Sequence, residues 1–559
     1  MAVVGPGYVH PDEFFQTVEI TAGTVFSLQV FTPWEFANVH APCRSIVPPF
    51  LFTGVPLLFL RWLDQLANRY FSVSLLTSKL IFVTPRLFMV VASLTVDCLL
   101  HQLSRQELCA MEEHTRTHMR PHDVEISLPP LSKLVVWCRM VVFASSWVVW
   151  VLQCRTLSNA FESLVFAVAL YVTVSTFQEF QVLRNNNQFK WVLCKKGVIL
   201  GALIGFGFFT RFTYVLFHTP LALYLLYLSL QKCFSICGER SSVRAAVEAV
   251  AFLTLAHVTG IFLAALPCVL IDSFYFQSSL SFPPEKWILA PVNNMLYNIL
   301  HSSEHGAHPC YLHLLVNFQL LFGPLGVLTL ASLTLILLQV CKRTLRYKHQ
   351  TLLLFYLSAT VFPLLLLSIA PHQEARFLLP LLLPTVLHTV TRTRVVAASM
   401  NAKRLIFLLV VWLLFNLSVG VFYAFFHQGG VLPSLMQLSS HVSSCDSSFS
   451  NSSIIYYNTY MPPRHLLLLL KKGKADMQLA DLAGSSMHRA CRAVSDAQQF
   501  GRVTFLVTPL TTFSHLHSLC NQTLSSFRLK STFFPHISTE QLFETISNPY
   551  LGLFVSPSV

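Results

Sequence analysis

The 559-residue chain is 54% hydrophobic and only 11% charged, where a soluble domain carries roughly 25% charged residues. This composition excludes a water-soluble globular enzyme. The net charge of +13 is spread between apolar runs rather than gathered in a block, so it reads as a membrane-topology signal and not as a nucleic-acid surface.

Residues 1–45 form a polar first loop. Apolar runs long enough to cross a hydrocarbon core as helices follow. Twelve spans are predicted, at about 46–60, 71–84, 85–101, 131–153, 159–181, 197–212, 214–231, 247–271, 312–340, 351–370, 376–391 and 405–426. The loops between them alternate in charge. One set holds Arg61/Arg69, Arg105, Lys190/Lys195/Lys196, Lys232/Arg244, Lys342 and Arg392/Lys403/Arg404. The other, with residues 1–45, holds only Arg44, Arg155, Lys286 and Arg376. The positive-inside rule makes the first set cytosolic and the second luminal.

Beyond 426 the chain turns polar, and 427–559 reads as a small luminal α/β domain. It carries the glycosylation patterns Asn451-Ser452-Ser453 and Asn521-Gln522-Thr523. Asn416-Leu417-Ser418 matches too, but lies inside a span and is expected to be unused. Cys43, Cys310, Cys445, Cys491 and Cys520 fall in luminal segments, where disulfides can form; spacing does not pair them.

The chemistry-bearing clusters all fall on the luminal side. HPDEFFQ (10–16) brings two adjacent carboxylates, Asp12 and Glu13, beside the membrane. In a helix they diverge by about 100°, so one faces a given substrate; the alternative is that either caps the helix beginning there. PWEF (33–36), RTLSNAFE with Arg155, and FFTRFT with Arg211 follow; the arginines either bind a lipid phosphate or snorkel. The longest internal loop contains PVNNMLYN (291–298) and HGAHPCYLHLLVN (305–317), suited to sugar hydroxyls or to a folded loop. His305, His308 and His313 lack a compact zinc spacing. HQEARFLLP (372–380) packs His372, Glu374 and Arg376 into a very short turn, where ionisable groups are functional candidates or an internal ion pair. HQGG (427–430) and TYMPPRHLL (459–467) complete the set. The spans carry few polar groups, against a carrier or channel and in favour of chemistry on a lipid-linked substrate at the surface.

HPDEFFQ, PWEF, RTLSN, HQEARFLLP, HQGG and TYMPPRHLL together resemble glycosyltransferase family 22, the dolichol-phosphate-mannose-dependent mannosyltransferases of the endoplasmic reticulum with the GT-C fold. The resemblance runs from about residue 8 to at least 470. It departs in one respect: the family normally has a helix before the HPDE segment, so a missing first helix is expected. The resemblance implies inverting transfer of mannose from dolichol-phosphate-mannose to the 2-hydroxyl of the third mannose of a GPI precursor, forming an α-1,2 bond. It makes Asp12 the base, with Glu13 as runner-up. Arg376, His372, Arg211 and Arg155 are the expected partners of the donor phosphate or lipid. His10, Gln16, Trp34, Glu35, Asn293, Tyr297, His305 and Glu374 are the expected substrate contacts. No cofactor, metal, nucleic acid or partner subunit is expected; the partners are the two glycolipid substrates and membrane lipids. The alternatives are another acceptor within family 22, or a lipid transporter or scramblase.

Overall fold

The computed structural model describes residues 3–118, 129–183, 185–237, 242–277, 287–301, 306–342, 351–397, 402–443, 452–471, 477–500 and 502–556. Lys286, His305, Cys445 and Asn451 lie outside them. The chain is a helical bundle capped on one face by a five-stranded sheet. Among the described residues nine helices are long and apolar enough to cross a membrane, and the protein is a multi-pass membrane protein.

Three of the expected spans behave differently. The predicted 71–84 and 85–101 spans are one helix, Ser78–His118, with Pro85 inside it. Proline at this depth removes a single ladder bond near the helix start, which the fold tolerates. The predicted 46–60 span belongs to the helix Val47–Phe71, which meets the apolar criterion yet does not cross. Near its start, Val47 packs with Phe209, Cys268 and Val269, at the ends of two neighbouring helices. Its end leads into Ser78, whose hydroxyl donates to the Leu466 carbonyl at 2.7 Å beside the sheet. Both ends therefore lie on the capped face, and the helix runs along it. Arg61 follows: it bonds the Val25 carbonyl of the first loop at 2.7 Å, so the assignment of Arg61 and Arg69 to the opposite side is corrected. The pattern misled because an amphipathic helix lying in an interface has nearly the composition of a span.

Two predicted spans cross as broken helices. Pro129–Ala144 is followed by the π-helical stretch Val148–Gln153. Its Arg139 bonds Glu107 and Thr391 toward the far face, while Arg155 just beyond it reaches Glu13 on the capped face. The 375–397 segment starts as the 3-10 helix Ala375–Leu381 and continues as Leu382–Ala397. The lost pair of crossings leaves the alternation of the remaining loops unchanged.

Helix packing is closest where Gly201 and Gly260 oppose each other; a Cβ on Gly260 would sit 2.1 Å from the Val198 carbonyl oxygen. The Asn186–Thr210 and Ser242–Gln277 helices approach backbone to backbone there. The sheet has the order β2-β1-β3-β5-β4, with β1 Ser452–Tyr457, β2 Gln478–Leu482, β3 Val503–Pro509, β4 Arg528–Phe533 and β5 Leu551–Val555. β1–β3 are parallel and β5 is antiparallel to both of its neighbours. The helices Met487–Gln499 and Leu510–Leu519 cover one face of the sheet. Cys491 and Cys520 form a disulfide between these elements; Cys43 and Cys310 are free thiols. Asn521 is exposed at the start of a short turn of helix. Asn416 is buried and accepts from the Trp147 amide at 2.8 Å.

In a chain with its other cysteines replaced, Asn68→Cys is expected to label with an impermeant thiol reagent from the same side as Ser518→Cys. Labelling from the side that exposes Cys341 instead would show that Val47–Phe71 crosses.

Candidate active site

The two adjacent carboxylates part company at the first helical turn. Asp12 and Glu13 precede the π-helical stretch Phe14–Val18, and the Asp12 amide donates to His10 Nδ1 at 3.1 Å. Glu13 turns inward and has no exposed surface. Arg86 holds its Oε1 through Nε at 2.8 Å and Nη2 at 2.5 Å, and Arg155 Nη1 holds Oε2 at 2.9 Å. The Thr156 hydroxyl caps its backbone carbonyl at 2.8 Å. Glu13 and Arg155 are thus a buried joint outside the cavity, which corrects their expected roles as second base and lipid-phosphate ligand. A carboxylate sealed between two guanidinium groups reaches no substrate.

Asp12 faces a polar cavity of about 300 Å³ on the capped face. The walls come from the first loop, the Arg211-Phe212 turn, Asn294 and Asn298, and the HQEARF turn. Asp12 Oδ2 pairs with Arg376 Nη1 at 2.7 Å and accepts from Gln16 Nε2 at 2.6 Å. Its Oδ1 lies 3.7 Å from His10 Nδ1. Glu374 bonds Arg376 Nε and, at 2.7 Å, His372 Nε2. His10 Nε2 lies 3.5 Å from Glu374 Oε2. Since Nδ1 accepts from a backbone amide, the neutral ring carries its proton on Nε2, toward Glu374. Gln373 pins the turn, accepting from the His313 amide at 2.9 Å and donating to the Ser368 and Ala370 carbonyls.

A second branch runs through Gln16, which accepts from Ser158 at 3.0 Å and donates to Glu35 at 3.3 Å. Glu35 in turn pairs with Arg44 at 2.9 Å. Arg211 donates to Ser158 at 3.0 Å and lies 3.4 Å from the buried Glu162. The Arg211 and Arg376 guanidinium carbons sit 5.0 and 5.4 Å from the centre of the Phe377 ring, so two cations share one aromatic wall.

Burial alone would raise the Asp12 carboxyl; the Arg376 guanidinium, with His10 and Arg44, outweighs it and holds the group below its ordinary value. Burial is likewise outweighed at Glu374, chiefly by Arg376 and the His372 bond, and its carboxyl lies well below the usual range. Burial, reinforced by Arg376, lowers His10. Burial pulls Arg211 down to about 10 against the pull of Glu162, which still leaves it a cation at neutral pH. Asp12 is therefore ionised, beside a neutral His10 and two fixed positive charges.

Of the residues expected from sequence, His10, Asp12, Gln16, Trp34, Glu35, Arg211, His372, Glu374 and Arg376 line this cavity. Asn293 does not; its amide donates to the Pro42 carbonyl at 3.0 Å, and Asn294 and Asn298 take the lining positions. Tyr297 stacks on Trp34 at the rim. Arg44, Phe212, Asn294, Asn298 and Phe377 were missed as site residues. Of these only the asparagines left a signal, their spacing on one helical face. HQGG and TYMPPRHLL turn out to be joints. Tyr8 bonds the His427 backbone and the Met461 carbonyl, and Glu19 meets His465 Nδ1 at 2.5 Å. Another cavity, about 350 Å³ beside Lys190 and Glu248, is lined mainly by apolar residues.

A one-sided polar cavity that gathers carboxylates, guanidinium groups and amides in a polytopic bundle under a capping sheet is the site of a membrane protein equipped for chemistry at one face. The chain belongs to the Alg9-like mannosyltransferase family, whose model matches residues 1–468. It is 29% identical to human GPI alpha-1,2-mannosyltransferase 4, over 96% of this chain and 86% of that protein. The GPI mannosyltransferase 4 of Drosophila melanogaster is 25% identical, over 96% and 83%. Saccharomyces cerevisiae GPI mannosyltransferase 4 is 27% identical, over 77% and 68%. Among solved structures, ArnT from Cupriavidus metallidurans bound to undecaprenyl phosphate is 10% identical, covering 99% of this chain and 95% of that one, with a TM-score of 0.44. The Archaeoglobus fulgidus oligosaccharyltransferase is 11% identical over 93% and 67%, with a TM-score of 0.40.

Two outcomes separate the adjacent carboxylates. Glu13→Gln strips a buried charge partner and is expected to cost about 3–5 kcal/mol of stability, read as a lowered Tm in detergent; an unchanged Tm would refute the joint. Asp12→Asn tests linkage. The folded-state value of Asp12 is depressed, so its stabilisation is full above the ordinary carboxylate range, about pH 4. It is lost as pH falls through the lowered value. The Tm gap between wild type and Asp12→Asn should be flat from neutral pH to about 5 and close below it.

Proposed function

We propose that the protein is an inverting mannosyltransferase of the endoplasmic reticulum membrane. In this reading its cavity faces the lumen, its donor is dolichol-phosphate-mannose, and its acceptor is the third mannose of a GPI precursor. The relatives named above support the acceptor and the compartment. The observation that carries the chemistry is the ionised Asp12 at the wall of a cavity whose arginines are fixed by carboxylate partners.

The acceptor 2-hydroxyl oxygen attacks the anomeric carbon from the face opposite the phosphate. The bond from that carbon to the phosphate oxygen breaks, and its electron pair leaves with dolichol phosphate. The hydroxyl proton passes to Asp12 Oδ1, because Oδ2 is engaged by Arg376 and Gln16. A carboxylate is a weak base, but it suffices when the proton moves late in an oxocarbenium-like transition state. A β-linked donor then gives an α product. Arg211 and Arg376, flanking Phe377, are placed to hold the phosphate and stabilise the charge it gains. Because Glu162 and Glu374 already fix these cations, little reorganisation is needed at the moment of transfer. The leaving group is stable as an anion, so no general acid is required, and the reading involves no metal or other cofactor.

Asp12→Asn is expected to lower transfer by about 10²–10⁴-fold while the protein keeps its purification profile. Mass spectrometry of GPI precursors should show accumulation of the three-mannose species in cells that carry only this variant. A normal four-mannose profile would sink the base assignment. A profile arrested at two mannoses in cells lacking the protein would point to the third-mannose step instead.

A further inference from the structure

The helix Ala290–Leu300 is two-faced. Asn294, Tyr297, Asn298 and His301 recur at the three- and four-residue spacing that shares one side of a helix. Met295, Leu296, Ile299 and Leu300 occupy the other side and are exposed. The polar and aromatic side meets the first loop at the cavity rim. Tyr297 lies between two rings, with centroid distances of 4.4 Å to Trp34 and 4.7 Å to His301 and interplanar angles of 35° and 24°. Both partners are fixed by backbone. Asn293 ties its helix to the Pro42 carbonyl, and the Cys43 amide donates to the Glu35 carbonyl at 2.9 Å, closing the loop behind Trp34.

Trp34 remains 48% exposed although it is stacked, and it lines the cavity beside Glu35, Asn294 and Asn298. The two asparagine side chains pair with each other at 2.6 Å, which orients both amides. The one cation at this end, Arg44, is matched by Glu35. The cavity is thus polarised. One end carries Arg211 and Arg376, each held by carboxylates, with His372; the other carries a rigid aromatic stack with amides and the Arg44–Glu35 pair. A ring that only packed the core would be covered. A ring that only met lipid would not stand among amides and a carboxylate.

The geometry points to the Trp34–Tyr297 stack as the platform for the acceptor sugar. The hydroxyl-poor C–H face of a terminal pyranose lies on Trp34, which Tyr297 backs, and its hydroxyls meet Asn294, Asn298 and Glu35. The donor phosphate occupies the cationic end, and Asp12 stands between the two. Aromatic rings combine a large apolar face with low conformational cost, which suits an uncharged ligand in a wet cavity. The platform rests on the acceptor reading given above and deepens it, making Trp34 a determinant of which mannose-terminated lipid is used.

The test is steady-state kinetics of the full-length protein in detergent, varying a three-mannose GPI precursor and dolichol-phosphate-mannose in turn. Trp34→Ala should raise KM for the acceptor by about tenfold and change KM for the donor by less than about twofold. Trp34→Phe should recover most of the loss. Trp34→Leu keeps bulk without a ring, and should behave like the alanine variant even if the latter proves unstable. Arg211→Lys should show the reverse pattern, weakening donor use first. The platform is overturned if Trp34→Leu leaves the acceptor KM unchanged, or if both KM values rise together. Wild-type protein that transfers no mannose to this acceptor would instead remove the acceptor assignment itself, visibly and before any variant is made.

Discussion

The arrangement depends on one buried carboxylate. Glu13 has no exposed surface and is held by Arg86 from the Ser78–His118 helix and by Arg155 from the turn before Ser158–Val182. Arg86 also bonds the Val3 and Gly5 carbonyls at 3.1 and 3.3 Å. Three segments that are distant in sequence are thereby clamped at a single point. Moving such charges out of water is expensive, and their mutual attraction does little more than offset that cost. What the cluster gains is definition: removing Glu13 leaves two uncompensated guanidinium charges in the interior. Because adjacent helical residues diverge, fixing Glu13 inward also fixes Asp12 outward, into the cavity.

A second joint extends this constraint to the capping sheet. Glu19, the residue directly after the π-helical stretch, accepts from the Phe31 and Arg464 amides at 3.0 and 3.1 Å and meets the His465 ring. Tyr8 hydrogen-bonds on both sides of the boundary, to His427 at the end of the last long helix and to Met461 beyond β1. Burial holds His427 down to about 4, so this contact is made by a neutral ring at physiological pH. The sheet therefore acts as a brace for the first loop. Its own core gathers Ile454, Tyr456, Phe505 and Leu553 with Phe14 and Val18, so hydrophobic burial and the polar joints act on the same segment.

The cavity keeps its ionisable groups in matched sets: Asp12 and Glu374 around Arg376, Glu162 beside Arg211, Glu35 beside Arg44. Each cation is oriented before substrate arrives, which is the condition under which fixed charges act most strongly on a transition state. The matching also keeps Asp12, Glu374 and Arg211 from titrating near neutral pH. The depressed carboxyls of Asp12 and Glu374 and the still-cationic Arg211 all keep one charge state across that range.

Composition and charge alternation alone determined that the chain is polytopic, that its reactive clusters share one side, and that a polar domain follows the last span. These are one-dimensional quantities: hydrocarbon thickness sets run length, and loop charge sets side. The motifs also marked most of the cavity, since ionisable residues crowded into short turns carry a cost that shows in sequence. Tertiary structure alone decided that Val47–Phe71 lies along the face, because span and interfacial helix differ in where their ends are held. It alone split Asp12 from Glu13, two neighbours of the same chemistry separated by which arginines reach them. It alone showed that HQGG and TYMPPRHLL are joints, since Tyr8–Met461 and Glu19–His465 join residues more than 400 positions apart. The HPDE segment is accordingly two devices in one turn: a buried anchor at Glu13 and, beside it, the carboxylate that the anchor aims.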